Sequence, residues 1–135
     1  MLELKVRGGE IESEQQWVYA WIADDGVVYV GATALQPETR TWLHLHEEDP
    51  SIGRMRARFP SVTTEELDVL AMELPKRVDR QRIRDGSVTL LAERGLLSPR
   101  QVCDPAPTTE APAETVAFVD GIETRLRCLV KSRRA

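Results

Sequence analysis

Trp17-Val18-Tyr19-Ala20-Trp21-Ile22, then Asp24-Asp25-Gly26, then Val27-Val28-Tyr29-Val30-Gly31 is the stretch that decides how this chain folds. Its two halves are rich in aromatic and β-branched residues, which suit a pleated and largely covered surface. Asp24-Asp25-Gly26 is a turn signal, with glycine free to take a positive φ. The spacing therefore predicts a β-hairpin with one tyrosine on each strand. A lone hairpin is marginal in water and needs a further strand to make a core-forming sheet. Leu67 to Leu74, a largely apolar run closed by Pro75, is read as that strand. Its Leu, Ala, Met and Glu content leaves a helix as the rival reading.

Working outward, Pro37 fits a first helical turn that continues from Thr39 to His46 and stops before Pro50. Ser51 is placed to cap a short helix, Ile52 to Phe59, with Ile52, Met55 and Phe59 at helical spacing. Val78 to Leu96 reads as a longer helix with Ile83, Leu90, Leu91 and Leu97 marking its buried stripe and Gly95 ending it. Before the hairpin, Leu2, Leu4 and Val6 alternate with charged residues as a short edge strand, Gly8-Gly9 ends it, and Glu10 to Gln16 reads as a surface loop or one helical turn. The fold expected is α/β (α+β): a small three-stranded, mostly antiparallel sheet flanked by helices over residues 1–98. A Pro-rich linker, 99–114, follows, and then an amphipathic helix with a basic tail, 115–135, carrying Val119, Ile122 and Leu126 on one stripe.

The 135 residues suffice to bury a core without disulfides or metals. No apolar run approaches the length of a membrane span, and the N-terminal residues lack a signal-peptide apolar region, so a cytoplasmic, non-membrane protein is expected. Cys103 and Cys128 lie far apart with no histidine near, which excludes a zinc site and fits free thiols. His44 and His46 on one helix point about 200° apart and cannot share a metal. Lys and Arg number 18 against 22 Asp and Glu, a net charge of −4, so any nucleic-acid site must be a local patch. Such a patch is legible between residues 54 and 84, where eight basic side chains face five acidic ones, a local excess of +3. Arg54 and Arg58 share one helical face, Arg77, Arg80 and Arg84 another, and all five are candidate phosphate-backbone contacts or simply solvated faces.

Arg40 and His44 stand four apart on the first helix and are therefore neighbours. A guanidinium, an imidazole and the two phenols of Tyr19 and Tyr29 converging on one surface suit a phosphate. Arginine offers a fork to its oxygens, and histidine and tyrosine can donate, accept or pass a proton. Tyr19 and Tyr29 also suit simple cross-strand packing.

Trp17-Val18-Tyr19 and Val28-Tyr29-Val30-Gly31 resemble the two halves of the GIY-YIG nuclease signature, and Arg40-x-x-x-His44 resembles that family's first helix. The resemblance spans about residues 17–97. It implies metal-dependent cleavage of a nucleic-acid phosphodiester, with Tyr19 activating or orienting water, Tyr29 beside it, Arg40 stabilising charge and His44 assisting proton traffic. Val28 and Gly31 belong to the motif. A carboxylate on the later helix would hold Mg²⁺ or Mn²⁺, and the count places Asp85 there, with Glu73 and Glu93 as other candidates. The chain departs from the pattern in three places. Trp17 replaces the first glycine, Asp85 stands where a longer glutamate is usual, and the chain has no Asn at all. The expected function is thus a GIY-YIG-like endonuclease, weak or inactive, acting on DNA before RNA. The alternative is a degenerate fold that binds nucleic acid, or that meets a partner protein or a second copy through the C-terminal helix.

Overall fold

The computed structural model describes residues 5–12, 15–107 and 110–134. Two short strands, β1 (Lys5–Arg7) and β2 (Glu10–Glu12), pair antiparallel as a small separate hairpin. Gly8 and Gly9 between them have φ of 57° and 80°, left-handed values that favour glycine. The Glu10 to Gln16 segment is therefore not a loop or helical turn. Glu10–Glu12 is a strand, and Gln16 already belongs to the next one. Leu2 and Leu4 of the expected edge strand lie outside the described residues.

The central hairpin is β3 (Gln16–Ala23) and β4 (Gly26–Thr33). Gly26 has φ of 132°, and a Cβ there would lie 2.7 Å from the Ser98 nitrogen, so both the turn and the chain packed beneath it require glycine. Two helices follow, α1 (Pro37–His46) and the short α2 (Arg54–Arg58), and then a 3-10 turn, Pro60–Thr63. The expected α2 cap at Ser51 is displaced. Gly53 is the N-cap, Ser51 bonds Asp49 in the preceding turn, and Ile52 is exposed rather than in the core. The third strand, β5 (Asp68–Leu74), pairs antiparallel with β3, giving the order β4-β3-β5. The helical rival for this segment is excluded because its backbone continues the ladder of the hairpin.

The last two helices are α3 (Arg80–Glu93) and α4 (Ala113–Arg134). The Asp79 carboxylate accepts from the Gln81 backbone N–H at 3.0 Å, which starts α3 two residues later than the apolar pattern implied. The mixed α+β class and three-stranded antiparallel sheet are as expected.

The sheet is covered on both faces. Val18, Ala20, Ile22, Val27 and Val30 face Ile83, Val88 and Leu91 of α3 and Phe118, Val119 and Ile122 of α4. Tyr19, Trp21, Val28 and Tyr29 face Met55, Phe59 and Val62 on the opposite side, with Leu45 of α1 against them. A register shift between Trp21 and Ile22 leaves Val28 as the extra residue of a bulge, which is why Val28 and Tyr29 both join the second face. After α3 the chain runs back along β4. Leu97 forms a parallel bridge with Val27, and the Val102 N–H donates to the Val28 carbonyl at 2.7 Å. Much of the Pro-rich stretch is thus a strap laid on the sheet edge rather than a free tether, with Cys103 and Ala106 packed on the core.

Candidate functional site

Tyr19 and Gly31 sit directly opposite on β3 and β4. A Cβ on Gly31 would fall on the hydroxyl and Cζ of Tyr19, so the glycine of the Tyr29-Val30-Gly31 stretch is required by the phenol lying over it. The ring thus laid down reaches α1. The Tyr19 hydroxyl and His44 Nε2 are 2.7 Å apart, and His44 is completely buried. Around the imidazole stand the rings of Tyr19 at 5.6 Å, Trp21 at 5.7 Å and Tyr29 at 5.2 Å, all edge-on. With His44 protonated on Nδ1, the phenol donates to Nε2, and Nδ1 itself is buried without a partner among the described residues.

Burial governs the protonation of this pair. It pushes the Tyr19 hydroxyl well above the ordinary phenol range, Tyr29 adds to that, and Arg40 and Arg54 act the other way. Burial lowers His44 to about 3, helped by the positive charges of Arg40, Arg54 and Arg58. At neutral pH both groups are uncharged and joined by one hydrogen bond. Burial therefore opposes transfer of the phenol proton to the imidazole, and only an anion placed beside the arginines would favour the charged imidazolium.

Arginines of α1 and α2 form the outer side. The guanidinium of Arg54 donates to the Tyr29 hydroxyl at 3.0 Å and to the Ser51 carbonyl at 3.0 Å. Arg40 donates to the Ile52 carbonyl at 3.1 Å and Arg56 to the His46 carbonyl at 3.1 Å. Carbonyls steady these groups without cancelling their charge. Arg54 and Arg58 share the carboxylate of Asp104, at 3.5 and 2.6 Å. Arg40, His44, Tyr19, Tyr29, Arg54 and Arg58 therefore act on one locality. Sequence reasoning placed Arg54 and Arg58 in a general basic patch and missed their tie to the tyrosines. It missed Asp104 altogether, since one acid in a Pro-rich stretch carries no spacing signal.

Asp85 is elsewhere in its bonding. It lies on α3, largely buried, and accepts from the guanidinium of Arg84 at 2.7 Å and from Gln81 at 3.2 Å. Arg84 is 3% exposed and also donates to the carbonyls of Val30, Asp104 and Pro105. Arg84 as a nucleic-acid contact is therefore corrected: it is an internal bolt between α3, β4 and the strap. Arg80 is exposed, and Arg77 is exposed and lies 3.7 Å from Glu114. A Mg²⁺ or Mn²⁺ ion at Asp85 would stand against a buried guanidinium, so this carboxylate does not fit the role of its ligand. Glu73 is exposed on β5 and Glu93 ends α3, and among the described residues no three His, Cys, Asp or Glu side chains cluster as a metal-ligand set. Comparisons with protein-family models, with curated proteins and with solved structures return no match to this chain.

Proposed function

We propose that this chain is a GIY-YIG-like domain that holds the phosphodiester backbone of nucleic acid against the arginines over the Tyr19–His44 pair, and that it binds without metal-dependent cleavage. The observation that carries this reading is the Arg54 guanidinium on the Tyr29 hydroxyl at 3.0 Å, beside the hydrogen-bonded Tyr19–His44 pair, with Arg58 joined to Arg54 through Asp104 and Arg40 one helical turn from His44. Guanidiniums held by carbonyls keep their charge and present fixed donors to phosphate oxygens. Two features favour binding over cutting. The pair and Tyr29 are at most 3% exposed, so a nucleophilic water has poor access to them. Asp85 is neutralised by Arg84.

A second reading, phosphodiester hydrolysis, is favoured by the 2.7 Å separation of Tyr19 and His44. In it, Tyr19 takes a proton from the attacking water as its own passes to His44, the new bond to phosphorus displaces the ester oxygen, and the imidazolium returns its proton through Tyr19 to that leaving oxygen. One set of assays separates the two. Fluorescence anisotropy of labelled single- and double-stranded DNA and RNA should show salt-sensitive binding that Arg40→Ala weakens. A supercoiled plasmid incubated with Mg²⁺ or Mn²⁺ should stay intact. Nicking that disappears in Tyr19→Phe and His44→Leu would establish hydrolysis instead, and absence of binding to every probe would refute both.

A further inference from the structure

We infer that Arg54 and Arg58 form a subsite for one phosphate-ester group, and that Asp104 fills it as an internal competitor when no ligand is bound. This rests on the binding function proposed above and adds its regulation by the strap. The two oxygens of the Asp104 carboxylate face different guanidiniums, Oδ1 on Arg58 Nη1 at 2.6 Å and Oδ2 on Arg54 Nη1 at 3.5 Å. The non-bridging oxygens of a phosphate ester offer two acceptors to the same pair of donors. Arg54 is already fixed by the Tyr29 hydroxyl and the Ser51 carbonyl, so its fork is set before any ligand arrives. Two positive groups share one carboxylate, which leaves the subsite one charge in excess.

Asp104 is held there by its backbone rather than by its side chain. Arg84 grips the Asp104 and Pro105 carbonyls from beneath, and the Val102 N–H bonds Val28 two residues earlier. The carboxylate can therefore leave the two arginines while the strap stays docked. The three side chains are each 36–39% exposed, so solvent and ligand reach the junction. Ion pairs of this exposure are weak, of a size that a phosphate with better geometry displaces.

The test compares wild type, Asp104→Asn, Asp104→Ser, Arg58→Ala and Arg58→Ala/Asp104→Asn. Glu73→Gln serves as a variant of equal charge change at the exposed position of β5. Each is titrated with a labelled oligonucleotide by anisotropy and with inorganic pyrophosphate by NMR of the arginine Nε–H signals. Removing the competitor, by Asn or by Ser, should tighten oligonucleotide binding roughly two- to fivefold, the size of one exposed ion pair. Glu73→Gln should leave it unchanged, and Asp104→Asn should gain less in the Arg58→Ala background, where only the longer contact with Arg54 is relieved, than in wild type. Equal affinities for wild type and both Asp104 variants, or an equal gain in Glu73→Gln, would overturn the inference. If no protein binds the oligonucleotide but pyrophosphate moves the Arg54 signal at lower concentration in Asp104→Asn than in wild type, the subsite stands and the nucleic-acid function falls. If pyrophosphate moves nothing in Asp104→Asn, the subsite falls as well.

Discussion

Acid should destabilise this protein through His44 before it does so through its carboxylates. His44 is fully buried and neutral, with burial as the main cause of a value lowered from 6.5 to about 3. An unfolded histidine takes up a proton as pH falls through 6.5, whereas the folded one does not until about 3. The unfolded state thus binds more protons over that window, and stability is full above 6.5 and is lost as pH falls toward 3. The loss approaches about 1.4 kcal/mol per pH unit, which amounts to about 2 kcal/mol on going from neutral pH to about pH 5. Urea unfolding of wild type and His44→Leu at both pH values, followed by circular dichroism, measures the effect. Leucine keeps the volume of the ring but cannot titrate, so its midpoint should fall much less between the two. Equal acid-induced losses in the two proteins would refute the claim that His44 is held neutral by burial.

Three other outcomes follow from the packing. Gly31→Ala should displace the Tyr19 ring, separate it from His44 and lower stability by about 2 kcal/mol or more, because two buried polar groups lose their partner; differential scanning calorimetry reads this directly. Tyr19→Phe leaves His44 Nε2 unpaired and should cost about 1–3 kcal/mol, but the double variant Tyr19→Phe/His44→Leu should cost less than the sum of the single ones, whereas strict additivity in a denaturation cycle would deny their coupling. Arg84→Met strands the Asp85 carboxylate beneath the strap, for a loss of about 3–5 kcal/mol by chemical denaturation, and a second substitution, Asp85→Leu, should recover part of it.

The hairpin, the third strand and the order of helices were legible because their signals are local. Val18, Ala20 and Ile22 alternate with Tyr19 and Trp21, and prolines or glycines close each run. The small N-terminal hairpin was not read, although Gly8-Gly9 between short segments is a turn signal. Glu10-Ile11-Glu12 has low strand propensity, and its pairing with Lys5–Arg7 is what makes it a strand. Candidate-site residues on α1 and the hairpin came from spacing, but their burial did not. Alternation along β3 tells which residues share a face, not that helices cover both faces. Arg54 meets Tyr29 across 25 residues, and Arg58 meets Asp104 across 46, contacts that only the tertiary fold creates. The same holds for Arg84. A periodic basic stripe on a helix reads as solvated, and only the returning strap turns one of its members inward.

The most direct test of the central claim is the salt dependence of oligonucleotide binding by wild type and Arg40→Ala. Arg40 is bonded to the Ile52 carbonyl on the outer side of the site. Each phosphate contact contributes about 0.7–0.9 to the slope of log affinity against log salt. If the phosphodiester lies against these arginines, wild type should bind with a steep negative slope. Arg40→Ala should weaken binding and flatten that slope by about one contact, with the melting temperature unchanged. A slope and affinity identical to wild type, or binding insensitive to salt in both proteins, would contradict the account.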